Sequence, residues 1–158
     1  IEFNMKTIAV CLVLAFAFSA VAANLADTVK SCGDGIPVPD EIYVVNCTQV
    51  PCEVRNGDTV VFTIVFVPPR DSETLIARPN LSLGLLDIPF ELPPEDKDAC
   101  NGLIGSSCPI VAGSNVTYSL GMKVDAPVVG VTVDLKFYLE DDSGKQAVCY
   151  KYSQAITD

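Results

Sequence analysis

The chain contains no histidine and no tryptophan. Without an imidazole there is no His-based catalytic triad and no histidine ligand for a metal. Without tryptophan the ring that marks true immunoglobulin domains is missing. Cationic side chains are scarce as well: 10 lysines and arginines face 20 acids, a net charge of −10. Nucleic acids and anionic membrane surfaces both select clustered cations, so neither is an expected partner. No glycine-rich phosphate loop is present either, since Gly33-Asp34-Gly35 is too short and runs into prolines. The acids are dispersed, apart from Glu95-Asp96-Lys97-Asp98 and Glu140-Asp141-Asp142, which read as solvated loops. Nothing marks two of them as the buried pair of a glycosidase. The chain is therefore expected to be no enzyme and to use no cofactor.

Long apolar runs are confined to the start. Residues 1–4 (IEFN) precede the first methionine and read as a cloning remnant, while Met5 to Ala23 reads as a secretory signal peptide. That stretch has one lysine, about a dozen apolar residues and small residues at its end, and it is too short for a membrane span. The mature domain is expected to cover 24–158, to be exported and to make no stable membrane insertion. Of the seven cysteines, Cys11 leaves with the leader. The six that remain imply three disulfides in an exported domain, although six cysteines allow 15 pairings. Zinc is not expected as their alternative, with no histidine and no C-x-x-C pair. Three sequons occur, at Asn46, Asn80 and Asn115. The first has cysteine in its centre, a poor acceptor, so Asn80 and Asn115 are the glycosylation candidates.

What the remaining chain has in abundance is a period of two. Val116, Tyr118, Leu120, Met122 and Val124 share one face of a strand, and so do Val131, Val133, Leu135, Phe137 and Leu139. Phe62, Ile64 and Phe66 do the same within Asp58 to Val67. Glu41 to Cys47 and Ala147 to Ile156 read as further strands. Cys52 to Arg55 and Asp58 to Val67 flank Asn56-Gly57, which predicts a hairpin closed by a type I′ turn. Thr74 to Leu86 is extended but holds Pro79, which predicts an irregular or edge-like segment. Seven or eight short strands, each with one apolar face, predict an all-β, immunoglobulin-like sandwich of two antiparallel sheets. Periodicity does not distinguish a filled core from a hollow one.

The order of the cysteines resembles that of the Niemann-Pick type C2 proteins within the ML (MD-2-related lipid-recognition) domain family. The residues that carry the likeness are Ser31-Cys32-Gly33, Cys47-x4-Cys52 with Pro51 ahead of its second cysteine, and the Asn56-Gly57 turn into a long apolar strand. Gly84 with Ile88-Pro89-Phe90, Cys100-x7-Cys108 leading into Pro109-Ile110, and Cys149 in the last strand complete it. The resemblance runs from about Ser31 to Ile156. It implies splayed sheets around an apolar cavity and the disulfides Cys32–Cys149, Cys47–Cys52 and Cys100–Cys108. It also implies pocket positions at Phe90 and Val124, and at Val128 where relatives often carry an aromatic. The smaller side chain at Val128 leaves a wider entrance, so a fatty acid or another elongated ligand stands beside a sterol.

Together these readings name Phe62, Ile64, Phe66, Leu85, Phe90, Tyr118, Leu120, Met122, Val124, Val128, Val133, Leu135 and Phe137 as cavity lining. The hydroxyl of Tyr118 or Tyr150 is the candidate for orienting a head group. The expected function is a secreted, extracellular or lysosomal, monomeric carrier of a small hydrophobic ligand such as a fatty acid, a sterol or a semiochemical. A receptor or lipid-acceptor protein is its natural second partner. The alternatives are an innate-immunity module that presents microbial lipids to a receptor, and a solid-cored domain with no ligand.

Overall fold

The computed structural model describes residues 23–83 and 86–158, apart from the side chains of Leu83 and Asp87. Among the described residues the strands are β1 (Lys30–Ser31), β2 (Glu41–Val44), β3 (Cys52–Arg55), β4 (Thr59–Phe66), β5 (Leu75–Leu83), β6 (Leu86–Pro89), β7 (Leu103–Ile104), β8 (Val116–Lys123), β9 (Val131–Asp141) and β10 (Gln146–Thr157). One sheet runs β1-β10-β9-β5-β6, with β3 beside the far end of β10; the other runs β2-β4-β8-β7. Inward residues alternate along β4, β8 and β9 as expected: Val60, Phe62, Ile64 and Phe66 face Val133, Leu135, Phe137 and Leu139 across the core, all of them buried. A one-turn helix, α1 (Pro94–Lys97), interrupts the proline-rich loop; Pro94 opens it, where the missing N–H costs nothing.

Three disulfides staple the sandwich: Cys32–Cys149, Cys47–Cys52 and Cys100–Cys108. The first joins the outer strand β1 to β10. The second clips the crossing from β2 in one sheet to β3 in the other.

Three expectations are corrected. The Asn56-Gly57 turn does not close a hairpin. β3 pairs in parallel with β10, Cys52 opposite Gln154, while β4 pairs with β2 and β8, so the turn carries the chain between sheets. Of its two central residues only Gly57 has a positive φ, +94°, which departs from type I′, where both do. Secondly, the segment around Pro79 is no irregular stretch but a regular strand paired with β9 from Leu75 to Ser82; its edge-like character holds at Pro79 itself, just past the end of β6. The Pro79 C=O accepts from the Phe90 N–H, 3.2 Å away, so its missing N–H points to the same side, past the end of β6, and spares the β9 ladder. Thirdly, Asp141 is buried, at 4% exposure, rather than solvated. Its Oδ2 accepts from Arg70 Nε (2.9 Å) and Nη2 (2.7 Å), and its Oδ1 accepts from the Ser143 N–H, the Ser143 hydroxyl and the Lys145 N–H. Burial alone would raise its pKa; the Ser143 and Lys145 hydrogen bonds and the Arg70 guanidinium outweigh burial and hold the carboxyl below the usual aspartate range.

Both sequons under consideration reach the surface side of the fold. Asn115 is exposed just before β8, and Asn80 is half-buried in β5.

Candidate functional site

The two ends of the sandwich are filled differently. Toward one end, aromatic rings close the space between the sheets. Phe62 lies 4.7 Å from Phe137, edge to face, and 6.3 Å from both Tyr118 and Tyr150. Tyr118 and Tyr150 are 1% and 0% exposed. Toward the other end the facing residues are Val60 and Met122 from one sheet and Val131, Val133 and Ile156 from the other. Sheets stack about 10 Å apart, and two short branched side chains do not meet across that distance as two rings do. A cleft of about 250 Å³ results.

Its deeper wall is Val60, Leu81, Met122, Val133, Leu135, Gln154 and Ile156, and its mouth is Ile88, Phe90, Val131 and the segment from Lys123 to Val128. Lys123 and Asp125 are exposed at the rim, as are Ile88 and Val128. Gln154 is the buried polar side chain of the wall, 6% exposed, and its Oε1 accepts from the Tyr152 hydroxyl at 3.2 Å.

The lip after β8 is anchored by the turn that failed to make a hairpin. The Val124 N–H donates to the Asp58 C=O, and the Gly57 N–H donates to the Val124 C=O, both at 2.8 Å. The Asn56 side chain then grips Ala126 at two points: its Nδ2 donates to the Ala126 C=O (3.1 Å), and its Oδ1 accepts from the Ala126 N–H (2.9 Å). The Asn56 N–H donates to the Thr157 C=O on the opposite sheet (2.9 Å). Farther along, the Gly130 N–H donates to the Ile156 C=O (2.7 Å), with Gly130 at φ +73°. Asn56 therefore bridges the two sheets at the open end.

Of the residues expected to line a cavity, Phe90, Met122, Val124, Val128, Val133 and Leu135 border this cleft. Phe62, Ile64, Phe66, Tyr118, Leu120 and Phe137 instead lie in the packed part of the core, all nearly inaccessible. The physical reason is depth: they share the inward face but stand farther from the open end. Leu85 lies outside the described residues. The hydroxyls of Tyr118 and Tyr150 are buried without a hydrogen-bond partner among the described residues, and burial drives both pKa values upward. Neither residue borders the cleft. Sequence reasoning passed over Val60, Leu81, Ile88, Val131, Gln154 and Ile156. For Gln154 a signal existed, a polar residue at the same parity as the inward Tyr150, Tyr152 and Ile156.

Among the described residues no group of three or more histidine, cysteine, aspartate or glutamate side chains is placed to hold a metal. No helix among them is long and apolar enough to cross a membrane.

A disulfide-stapled β-sandwich, closed at one end by aromatic packing and open at the other onto an apolar cleft, defines an immunoglobulin-like domain with an internal ligand-sized site. The chain belongs to the ML domain family, whose model matches residues 26–156. It is 31% identical over 146 residues to NPC intracellular cholesterol transporter 2 of Danio rerio, covering 89% of this chain and 93% of that protein. The protein of the same name from Mus musculus is 29% identical over 141 residues, covering 87% and 91%. Among solved structures, a Niemann-Pick type C2 protein from the Japanese carpenter ant superposes with a TM-score of 0.71 at 16% identity, over 82% of this chain and 98% of that one. Chicken MD-1, crystallised with lipid IVa, superposes with a TM-score of 0.50 at 14% identity, over 79% and 85%. At those identities the two structures speak to the fold.

Proposed function

We propose that the protein is an exported, non-enzymatic carrier that holds a small hydrophobic ligand in the cleft between its sheets. The observation that supports this most is the cleft itself: about 250 Å³ of space walled by hydrocarbon at the open end of a core that is otherwise filled. A solid-cored domain would close that end as it closes the other. The relatives named as cholesterol transporters point the same way.

The volume bears on the class of ligand. At the ~30 Å³ that a water-sized group takes up in the liquid, the cleft accepts at least about eight methylenes. At about 0.8 kcal/mol each, their burial contributes on the order of 6–7 kcal/mol before association costs, which corresponds to Kd values of about 10 μM or weaker. A slim alkyl chain suits this space better than a rigid four-ring sterol. The carboxylate of a fatty acid would remain at the rim, where Lys123 is exposed. A receptor or acceptor protein would take the ligand from that open end.

The test is displacement of N-phenyl-1-naphthylamine from the purified mature domain by alkyl compounds of graded length. Saturable displacement with an optimum near the cleft's length is expected. A probe that does not bind, or one that no alkyl compound displaces, removes the carrier reading.

A further inference from the structure

The wall of the cleft is hydrocarbon except at one buried position. Gln154 stands on β10 opposite Val133, in the layer of Val60 and Met122 below the lip, and is 6% exposed. A lone amide in such a wall is costly unless its groups are hydrogen-bonded. Half of it is. Oε1 accepts from the hydroxyl of Tyr152, which is itself buried. Turning the amide round would pair its NH₂ with the phenol oxygen and leave the phenol hydrogen without an acceptor, so the orientation with Oε1 toward Tyr152 satisfies more groups. The two N–H donors of Gln154 then have no partner among the described residues, on a side chain that borders the cleft.

We infer that Gln154 is a specificity residue of the cleft, and that it selects elongated apolar ligands bearing a neutral carbonyl: a ketone, an aldehyde or an ester. This rests on the carrier reading and narrows it. Three features lead to that class. The groups without a protein partner are donors open to the cleft, so a ligand that fills the space there must offer an acceptor. Among the described residues the neighbouring wall supplies no cation at that depth, so a carboxylate there would be buried without a counter-charge. An alcohol can also accept from the amide, but its own O–H then needs an acceptor, and at Gln154 it must share Oε1 with the Tyr152 hydroxyl, which already holds one of its two lone pairs. A carbonyl oxygen accepts and brings no donor of its own. Burial pushes the Tyr152 phenol well above its ordinary pKa, so the hydroxyl stays protonated and keeps one lone pair of Oε1 engaged at physiological pH.

The experiment compares 2-tridecanone, 1-tridecanol and tridecane as displacers of N-phenyl-1-naphthylamine from the wild-type domain and from Gln154→Leu and Tyr152→Phe. Wild type is expected to bind the ketone about tenfold more tightly than the alkane, with the alcohol in between. Gln154→Leu should erase the ketone's advantage and leave the alkane bound as well or better. Tyr152→Phe frees the lone pair of Oε1 that the phenol holds and should raise the alcohol toward the ketone, a change that loss of packing alone would not produce. Equal affinities for ketone and alkane in wild type, or a preference that survives Gln154→Leu, overturn the inference while leaving the carrier intact. Failure of all three compounds to displace the probe from wild type overturns both. Circular dichroism establishes that each variant is folded, and either variant alone decides the outcome.

Discussion

Filling the cleft from its wall should separate ligand binding from stability. Val133 is 7% exposed on β9, faces the cleft, and lies opposite Gln154 on β10. Val133→Phe adds a side-chain volume of roughly two to three methylenes to a space of about 250 Å³. A ligand that loses two buried methylenes loses on the order of 1.6 kcal/mol, about a fifteenfold rise in Kd. In a filled core the same substitution would cost about 1–3 kcal/mol of stability through overpacking. Because the ring enters open space, the thermal midpoint should hold or rise. The assay pairs displacement titrations with thermal unfolding on one preparation, using ligands two carbons apart. Longer ligands should suffer more than shorter ones, since the cleft has been shortened from within. A folded variant with undiminished affinity would refute the placement of the site. So would a fall in stability of several kcal/mol, which would mean that the space is not there.

Deeper in the same sandwich the balance inverts. Phe62 is fully buried against Phe137 and borders no part of the cleft, so Phe62→Ala should cost about 3–5 kcal/mol in urea unfolding and leave the affinity of the surviving folded protein nearly unchanged. At the lip, Asn56→Ala removes two neutral hydrogen bonds to Ala126, worth about 1 kcal/mol each; stopped-flow displacement should show ligand release about tenfold faster. At the opposite corner, Asp141→Asn should destabilise by about 2–3 kcal/mol, less than a fully buried pair because the Arg70 side chain is 38% exposed. The pH dependence follows from the lowered folded pKa of Asp141. The unfolded carboxyl titrates near 3.9, so its contribution is complete above about pH 4 and is lost as pH falls through the lower folded value. Chemical unfolding between pH 2 and 6 should therefore show a steeper acid limb in wild type than in Asp141→Asn.

Side-chain parity made most of the fold legible in advance. Alternation along 116–124, 131–139 and 58–67 named the inward residues correctly because a strand in a two-layer sandwich has only two faces to choose between. What parity cannot convey is position along the strand. Phe62 and Val60 share a face, yet one is core and the other cleft wall, and the difference arises from which residues of the opposite sheet they meet. Asn56-Gly57 was misleading for a related reason. The local turn chemistry is satisfied by Gly57 alone, while the asparagine amide is used 70 residues away at Ala126. Pro79 pointed to an edge-like position and occupies one, but where along the strand that edge begins is set by the tertiary pairing of β6. Gln154 escaped notice because an inward polar residue in an alternating strand looks like noise until the wall around it is known to be apolar.

In the proposed carrier an alkyl chain lies between the sheets at the open end, above the aromatic layer. That placement is tested most directly by isotope-filtered NMR with ¹³C-labelled 2-tridecanone bound to the mature domain. Intermolecular contacts are expected from the chain to the methyl groups of Met122, Val133 and Ile156, and none to the ring of Phe62. A ligand that binds stoichiometrically yet shows no contact with those methyl groups would contradict that placement.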